Sequence, residues 1–286
     1  MRKVIVSLLL LSLTYSMAIS QTGPSQLYPF ALEFNKDRSL IISFKEPDGY
    51  KRFPMNKMTR YLMWLTNLPL KPEFHPLIRY DKQIITRADS IAGVIDIGVT
   101  TNNQKDADFP IQLATEYLKV VNLLDSFPFI LNENDTVTFG KWLDGNYSTD
   151  ARGNVIYKEG EKKSHNEKEF YRFIEFIMRK NTNKTLINNL IPVSEENIMP
   201  GDMYIQFDEK DPDSSGHTLM ILDICTSDKG ENLYLIGHGG DPAQSYYVPI
   251  PLPKSKRVWF TMNEIKKQYA QYGQGKFYRF MNLINL

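Results

Sequence analysis

Pro200-Gly201-Asp202-Met203-Tyr204-Ile205-Gln206-Phe207 and, after a polar linker, Ser215-Gly216-His217-Thr218-Leu219-Met220-Ile221-Leu222-Asp223-Ile224-Cys225 decide the reading of this chain. Short apolar runs bounded by Gly, Pro, Asp and Ser mark buried strands, here Met203 to Phe207 and Thr218 to Cys225. Leu233 to Gly237 and Ser245 to Ile250 repeat the pattern, and the two longer linkers are Asp208 to Gly216 and Ser227 to Asn232. Connections this short favour antiparallel neighbours, because parallel strands need a long crossover. A last helix near Asn263 to Tyr272 and a strand near Phe277 to Met281 close the chain. Just upstream, Phe170, Phe173, Ile174, Ile177 and Met178 form the apolar stripe of a helix, and Ser164-x-x-Glu167 reads as its capping box. A helix followed by an antiparallel meander predicts an α+β fold.

Further upstream, Ser39 to Phe44 reads as a strand, and Met58, Tyr61, Leu62 and Leu65 fall on one helical face. Asn67-Leu68-Pro69-Leu70-Lys71-Pro72 stops that helix, since each Pro lacks an N–H donor and restricts its predecessor. Ile91 to Val99, apolar apart from Asp96, reads as a buried central strand. Ile111, Ala114, Leu118, Val121 and Leu124 then repeat at three and four, a helix that tolerates Pro110 only in its first turn. Asp144 to Lys163, rich in Gly and Asn and ending in a mixed charge run, reads as a loop, either a lid or a domain joint. The division that follows is an N-terminal α/β region over 21–150 and an α+β region over 151–286, with one continuous domain over 21–286 as the alternative.

Composition bounds the function classes. The chain has 286 residues with 34 Lys+Arg against 33 Asp+Glu, so no basic surplus supports binding to a nucleic-acid backbone. At 42% hydrophobic residues it carries a core, which excludes a disordered chain. Arg2 and Lys3 precede an apolar run from Val4 to Leu13, and Ala18-Ile19-Ser20 supplies small residues before a cleavage site, so residues 1–20 read as a signal peptide cut before Gln21. A membrane anchor is the competing reading, but the run falls short of the roughly 20 residues that span a bilayer. The single Cys, at position 225, excludes an internal disulfide and an N-terminal lipid-modified Cys. The expected product is soluble and extracytoplasmic, periplasmic or secreted, without a transmembrane segment after cleavage.

His217 opens its strand directly after Gly216, which presents an imidazole at a strand mouth where a base meets substrate. With Pro200-Gly201-Asp202 before it and His238 closing the next strand, the arrangement resembles the core of papain-like amidases and peptidases of the NlpC and CHAP type. The resemblance implies His217 as base and His238 as the residue that orients it, over roughly the last 120 residues. It also implies a Cys at a helix N-terminus, and the helix after Ser164-His165-Asn166-Glu167 carries none. Cys225 follows His217 by eight residues in one strand, about 26 Å away on the same face, and reads as a core thiol. Ser164 is the other candidate nucleophile, already explained as a cap. Asp202, Gln244 and Trp142 join His217 and His238 as candidate ligand-binding residues, and His217, His238 and Asp202 are the alternative metal set.

Other motifs are weaker. Asp211-x-Asp213-x-Ser215-Gly216 begins like a calcium loop but has Leu222 where the bidentate Glu belongs. Gly237-x-Gly239-Gly240 runs into Asp241-Pro242 and opens no helix for a pyrophosphate. His75 and His165 are isolated. Neither a cofactor nor a metal is expected.

The chain as a whole resembles a bacterial family, the domain-of-unknown-function family 4846. The resemblance rests on Asp48-Gly49-Tyr50-Lys51-Arg52, Leu68-Pro69-Leu70-Lys71-Pro72, Val94-Ile95-Asp96-Ile97, Gln104-Lys105-Asp106-Ala107-Asp108, Glu116-Tyr117-Leu118, Lys141-Trp142-Leu143-Asp144-Gly145, Gly216-His217 and Pro242-Ala243-Gln244. It implies exported proteins with no assigned activity and no nucleophilic Cys, and the sequence departs from it at Ile236-Gly237-His238-Gly239-Gly240. The resulting expectation is a papain-like fold without its nucleophile that binds a cell-envelope ligand: a cell-wall peptide, a glycan fragment or an envelope protein. The alternatives are an active amidase or other hydrolase using His217 with another nucleophile or a metal-bound water, and a structural envelope protein. The leader makes one direct prediction: mass spectrometry of the exported protein finds Gln21 as its first residue, and intact Met1 in the membrane fraction refutes it.

Overall fold

His217–Ser227, eleven residues long and buried over its first nine, is the strand on which the main sheet is assembled. The structure, a computed structural model, describes residues 24–31, 34–85, 91–132, 135–150, 154–207, 216–251 and 257–283. Along one edge of this strand lie Met203–Gln206, opposite residues His217 to Met220, and Tyr50–Arg52, opposite Cys225 to Ser227. Asn232–Gly237 runs along the other edge. Gly275–Phe280 pairs with Met203–Gln206 and in turn with Leu190–Val193, so the sheet has six strands, every pairing antiparallel. With seven α-helices among the described residues, the fold is α+β.

The continuous apolar run of the long strand has its reason in burial on both faces. Met220, Leu222 and Cys225 enter the larger core, which they share with Phe109 and Leu113 of the Asp108–Val120 helix and Phe170, Phe173 and Ile177 of the Glu167–Met178 helix. Leu219, Ile221 and Ile224 enter a second cluster with Ile265 and Tyr269 of the C-terminal helical segment. The register shift between Ile221 and Asp223 explains why side-chain parity reverses along the strand. Odd-numbered Leu219 and Ile221 face the smaller cluster, whereas Cys225 faces the larger one. The thiol is therefore not on the face assigned to it by an unbroken two-residue period, and burial pushes its pKa up to about 12.

Two Gly positions set the entry to this strand. Gly201 takes φ +87°, a conformation disfavoured for side chains, and its N–H donates to the Ile221 carbonyl at 2.7 Å. Asp202 follows, fully buried, and its two oxygens accept from Arg279 at 2.6 and 2.7 Å. At Gly216 a Cβ would lie 2.2 Å from the Gln206 carbonyl oxygen and 3.0 Å from Asn183 Cβ, so close passage of the neighbouring chain requires glycine there.

Several local expectations are corrected. Leu40–Ser43 is one helical turn, not part of a strand; it has only Leu40 buried, so no alternating face is needed. Only Ile91–Val94 of the apolar run to Val99 is a strand, and it pairs with Tyr247–Pro249 in a separate two-stranded sheet, not at the centre of the main one. The chain must leave that line at Asp96, whose buried carboxylate lies 3.2 Å from Lys71 Nζ. Residues read as a loop after Asp144 contain a hairpin, Gly145–Thr149 with Val155–Glu159, where Tyr147 faces Tyr157 across the strands. The 167–178 helix is capped by Asn166, whose side chain accepts from the Glu169 N–H; Ser164 is exposed outside it. The leader, the cleavage site at Gln21 and the acidic turn of Asp211, Asp213 and Ser215 lie outside the described residues. No helix among the described residues is long and apolar enough to cross a membrane. Replacing Gly216 by Ala is expected to cost about 1–3 kcal/mol by overpacking, read as a lower urea midpoint; an unchanged midpoint refutes the close approach.

Candidate functional site

The segment Gln104-Lys105-Asp106-Ala107-Asp108 enters the Asp108–Val120 helix, and each polar residue in it has a separate structural task. Gln104 fixes the preceding turn: its Oε1 accepts from the Thr100 and Thr101 N–H groups at 2.5 and 3.1 Å, and its Nε2 donates to the Gly98 carbonyl at 2.9 Å. Lys105 Nζ reaches Asp241 at 3.0 Å, which ties the turn to the loop after His238. The Asp108 carboxyl accepts from Asn181 Nδ2 at 2.9 Å and from the Lys105 N–H at 3.0 Å. Burial drives its pKa well above the usual carboxylate range, with a further push from Asp106.

Held by that turn, the Asp106 carboxylate accepts three bonds. The Ala107 N–H donates to Oδ1 at 2.8 Å, and the Thr218 N–H and His217 Nδ1–H donate to Oδ2 at 3.2 and 2.5 Å. With Nδ1 engaged as donor, Nε2 of a neutral His217 carries the lone pair. That nitrogen is buried and has no hydrogen-bond partner among the described residues. The imidazole stacks near-parallel to Tyr272 and Tyr269, with ring centroids 4.5 and 5.4 Å away. Gln206, opposite His217 in the sheet, supports this wall by donating from Nε2 to the carbonyls of Tyr269 and Gly273 at 2.8 and 2.5 Å. Two more buried polar atoms here, Gln206 Oε1 and the Tyr246 hydroxyl, have no partner among the described residues, and the hydroxyl lies close enough to Asp108 and Asp106 that burial first and then both acids raise its pKa.

His238 lies beside His217, edge to face at 4.8 Å, but does not bond to it. Its Nδ1–H donates to the Gly239 carbonyl at 2.7 Å and its Nε2 accepts from the Tyr269 hydroxyl at 3.0 Å. Both nitrogens are thus satisfied, and burial, helped by His217, drives its pKa well below the ordinary histidine value. The bond that orients His217 comes from Asp106, so the orienting role expected of His238 is corrected. His238 instead fixes Tyr269 behind the His217 ring.

The remaining candidates are elsewhere. Asp202 is occupied by Arg279. Gln244 is half-buried and bridges in the backbone to Arg79. Trp142 stacks on Tyr147 and donates from Nε1 to Glu169 at 3.2 Å. No group of three or more His, Cys, Asp or Glu among the described residues is arranged to hold a metal ion. The helix whose N-terminus meets His217 is Asp108–Val120, not the helix after Ser164. Sequence reasoning missed Asp106, Tyr269 and Tyr272 as site residues; two acids opening an apolar helix were the available signal for Asp106.

The model of a family described as domain of unknown function (4846) matches residues 41–281. The chain belongs to this family. No curated protein and no solved structure matches it. Of the segments that carried the family resemblance, Gln104–Asp108 and Gly216-His217 thus meet at one site, and a third, Glu116-Tyr117-Leu118, lies further along the same helix.

Glu116 is fully buried, and neither carboxylate oxygen makes a well-formed hydrogen bond among the described residues, the neighbouring Tyr171 hydroxyl included. Burial raises its pKa from 4.5 to about 8 against a smaller opposing effect of Lys119. The folded state therefore binds a proton that the unfolded chain releases above its ordinary pKa. The contribution of Glu116 to stability is complete below pH 4.5 and is lost as pH rises toward 8. Relative to the parent, Glu116→Leu should gain stability by ~1.4 kcal/mol per pH unit across that window, measured by denaturant unfolding at several pH values. A pH-independent difference refutes a buried proton on Glu116.

Proposed function

We propose that this protein is a catalytically silent papain-like fold that binds an extracytoplasmic ligand, a cell-wall peptide or glycan fragment, at the His217 site. The unpartnered, buried Nε2 of an Asp106-held His217 carries this reading. Papain-like catalysis requires a thiolate beside the imidazole at a helix N-terminus. Here a helix N-terminus does meet the imidazole, but the group in contact is the Asp106 carboxylate, and Ala107 follows it. Cys225 is protonated and in the opposite core cluster from the rings that stack on His217. A ligand hydroxyl or amide N–H, as a donor, has a natural partner in the Nε2 lone pair, and the two tyrosine rings supply an apolar wall.

A second reading has a specific observation in its favour. A carboxylate on Nδ1 with Nε2 free is also the orienting half of a general-base dyad, which would activate a water for hydrolysis. The two are separated with purified protein and a defined N-acetylmuramyl peptide. Binding without turnover, weakened about tenfold or more by His217→Ala in a variant that still unfolds cooperatively well above the assay temperature, supports the silent fold. Amide or glycosidic cleavage that disappears in Asp106→Asn and His217→Ala establishes the hydrolase instead. Neither retention nor cleavage would return His217 to a role in holding the envelope protein's fold.

A further inference from the structure

Gly275, Gln206 and His217 stand in one row across three neighbouring strands, since Gln206 is the register partner of both the others. Residues in such a row share a face of the sheet, with neighbouring strands about 5 Å apart. Two of the three end in a buried acceptor without a partner among the described residues, His217 Nε2 and Gln206 Oε1. The Gln206 amide has its orientation set by its other end: Nε2 donates to the Tyr269 and Gly273 carbonyls, which leaves the oxygen as the unpartnered atom. Neither acceptor can satisfy the other, because both offer only lone pairs.

A cavity of about 460 Å3 adjoins this row. Tyr204 and Phe277, the next register pair along the same two strands, line it with their rings stacked at 4.9 Å, and Ala270, Gly273 and Gly275 line it from the C-terminal segment. At Gly275 a Cβ would lie 2.7 Å from Gln206 Cγ, so the glycine that lines the cavity is also the residue against which Gln206 packs. Ala270, Gly273 and Gln274 are exposed, so the cavity opens to solvent. Its charged residues, Glu195 and Lys266, pair with each other at 2.5 Å and add no net charge. The charge lies at the inner end of the row. Asp106 takes its bonds from two backbone N–H groups and the His217 ring, with no lysine or arginine among them, and Lys105 is held by Asp241.

We propose that this cavity admits a ligand bearing a primary ammonium group, which donates to Gln206 Oε1 and His217 Nε2. The inference rests on the reading of His217 as a ligand-binding site and names the group recognised there. An ammonium carries three donors and suits both acceptors, and its charge is attracted by the buried Asp106 carboxylate behind the imidazole. Gln206 is one strand spacing from the cavity-lining Gly275, within reach of an amine on a flexible four-carbon stem.

The probes are three N-acetylmuramyl tripeptides that differ only in the last side chain: lysine, Nε-acetyl-lysine and norleucine. Titration calorimetry with the purified protein should give the lysine probe a Kd about tenfold or more below the other two, the factor expected when a charge-assisted hydrogen bond is lost. Asp106→Asn should erase most of that preference. Ala270→Trp, at an exposed position in the cavity lining, should weaken all three probes several-fold. Equal affinity of the three probes overturns the inference and leaves a binding site at His217 standing. Acetyl-lysine matching lysine overturns it too, since the charge then plays no part, as does a preference that survives Asp106→Asn. Binding by none of the probes overturns the inference together with the reading beneath it. Should Asp106→Asn fail to fold, the probe comparison on the parent protein and on Ala270→Trp decides, and unchanged affinities in Ala270→Trp overturn the inference.

Discussion

The hydrogen bond from His217 Nδ1 to the Asp106 carboxylate joins segments 111 residues apart and fixes how the first long helix meets the sheet. Both groups are buried, so neither could be left without the other except at a cost of several kcal/mol. The carboxylate also takes the Thr218 N–H, so the backbone of the strand mouth is held together with the ring. Gly216 lets the chain pass Gln206 and Asn183 just before this point, and Gln206 supports the tyrosine wall from the neighbouring strand. Removal of any one of these would displace the others, because they share one small buried volume.

Two other buried ion pairs repeat the same logic along the sheet. Asp202 at the Pro-Gly-Asp turn receives both forks of Arg279 from the last strand. Asp223, one residue past Leu222 where the register shifts, pairs with Arg52 of the first strand, whose guanidinium also donates to the Phe44 carbonyl and lies over Trp259. Each acid sits on or beside the central strand and each arginine comes from an end of the chain. Pairing of this kind specifies which distant segment docks where, since a misplaced partner would leave a bare buried charge.

The site therefore has two layers. An inner layer of charged groups is engaged, and around it a few polar atoms, His217 Nε2, Gln206 Oε1 and the Tyr246 hydroxyl, are left without a partner among the described residues. Buried polar atoms without partners are uncommon in native folds and ask for an occupant or an explanation. Here they lie where the helix N-terminus, the strand mouth and the tyrosine wall converge.

The strands from Met203 to Gly237, their antiparallel sense, the 108–120 helix and the α+β class were legible locally, because period, turn residues and short connections are properties of neighbouring residues. Gly216-His217 also stood out alone. What the sequence could not reveal was that the carboxylate on that imidazole comes from Asp106, or that Tyr269 and Tyr272 wall it, since those contacts depend on docking of distant elements. The bulge at Leu222 was equally hidden: one inserted residue changes no composition or period, yet it sends Cys225 to the opposite core from the one that walls His217. Local pattern determined the elements by itself; which buried charge meets which partner was decided only when the tertiary structure withdrew both from water.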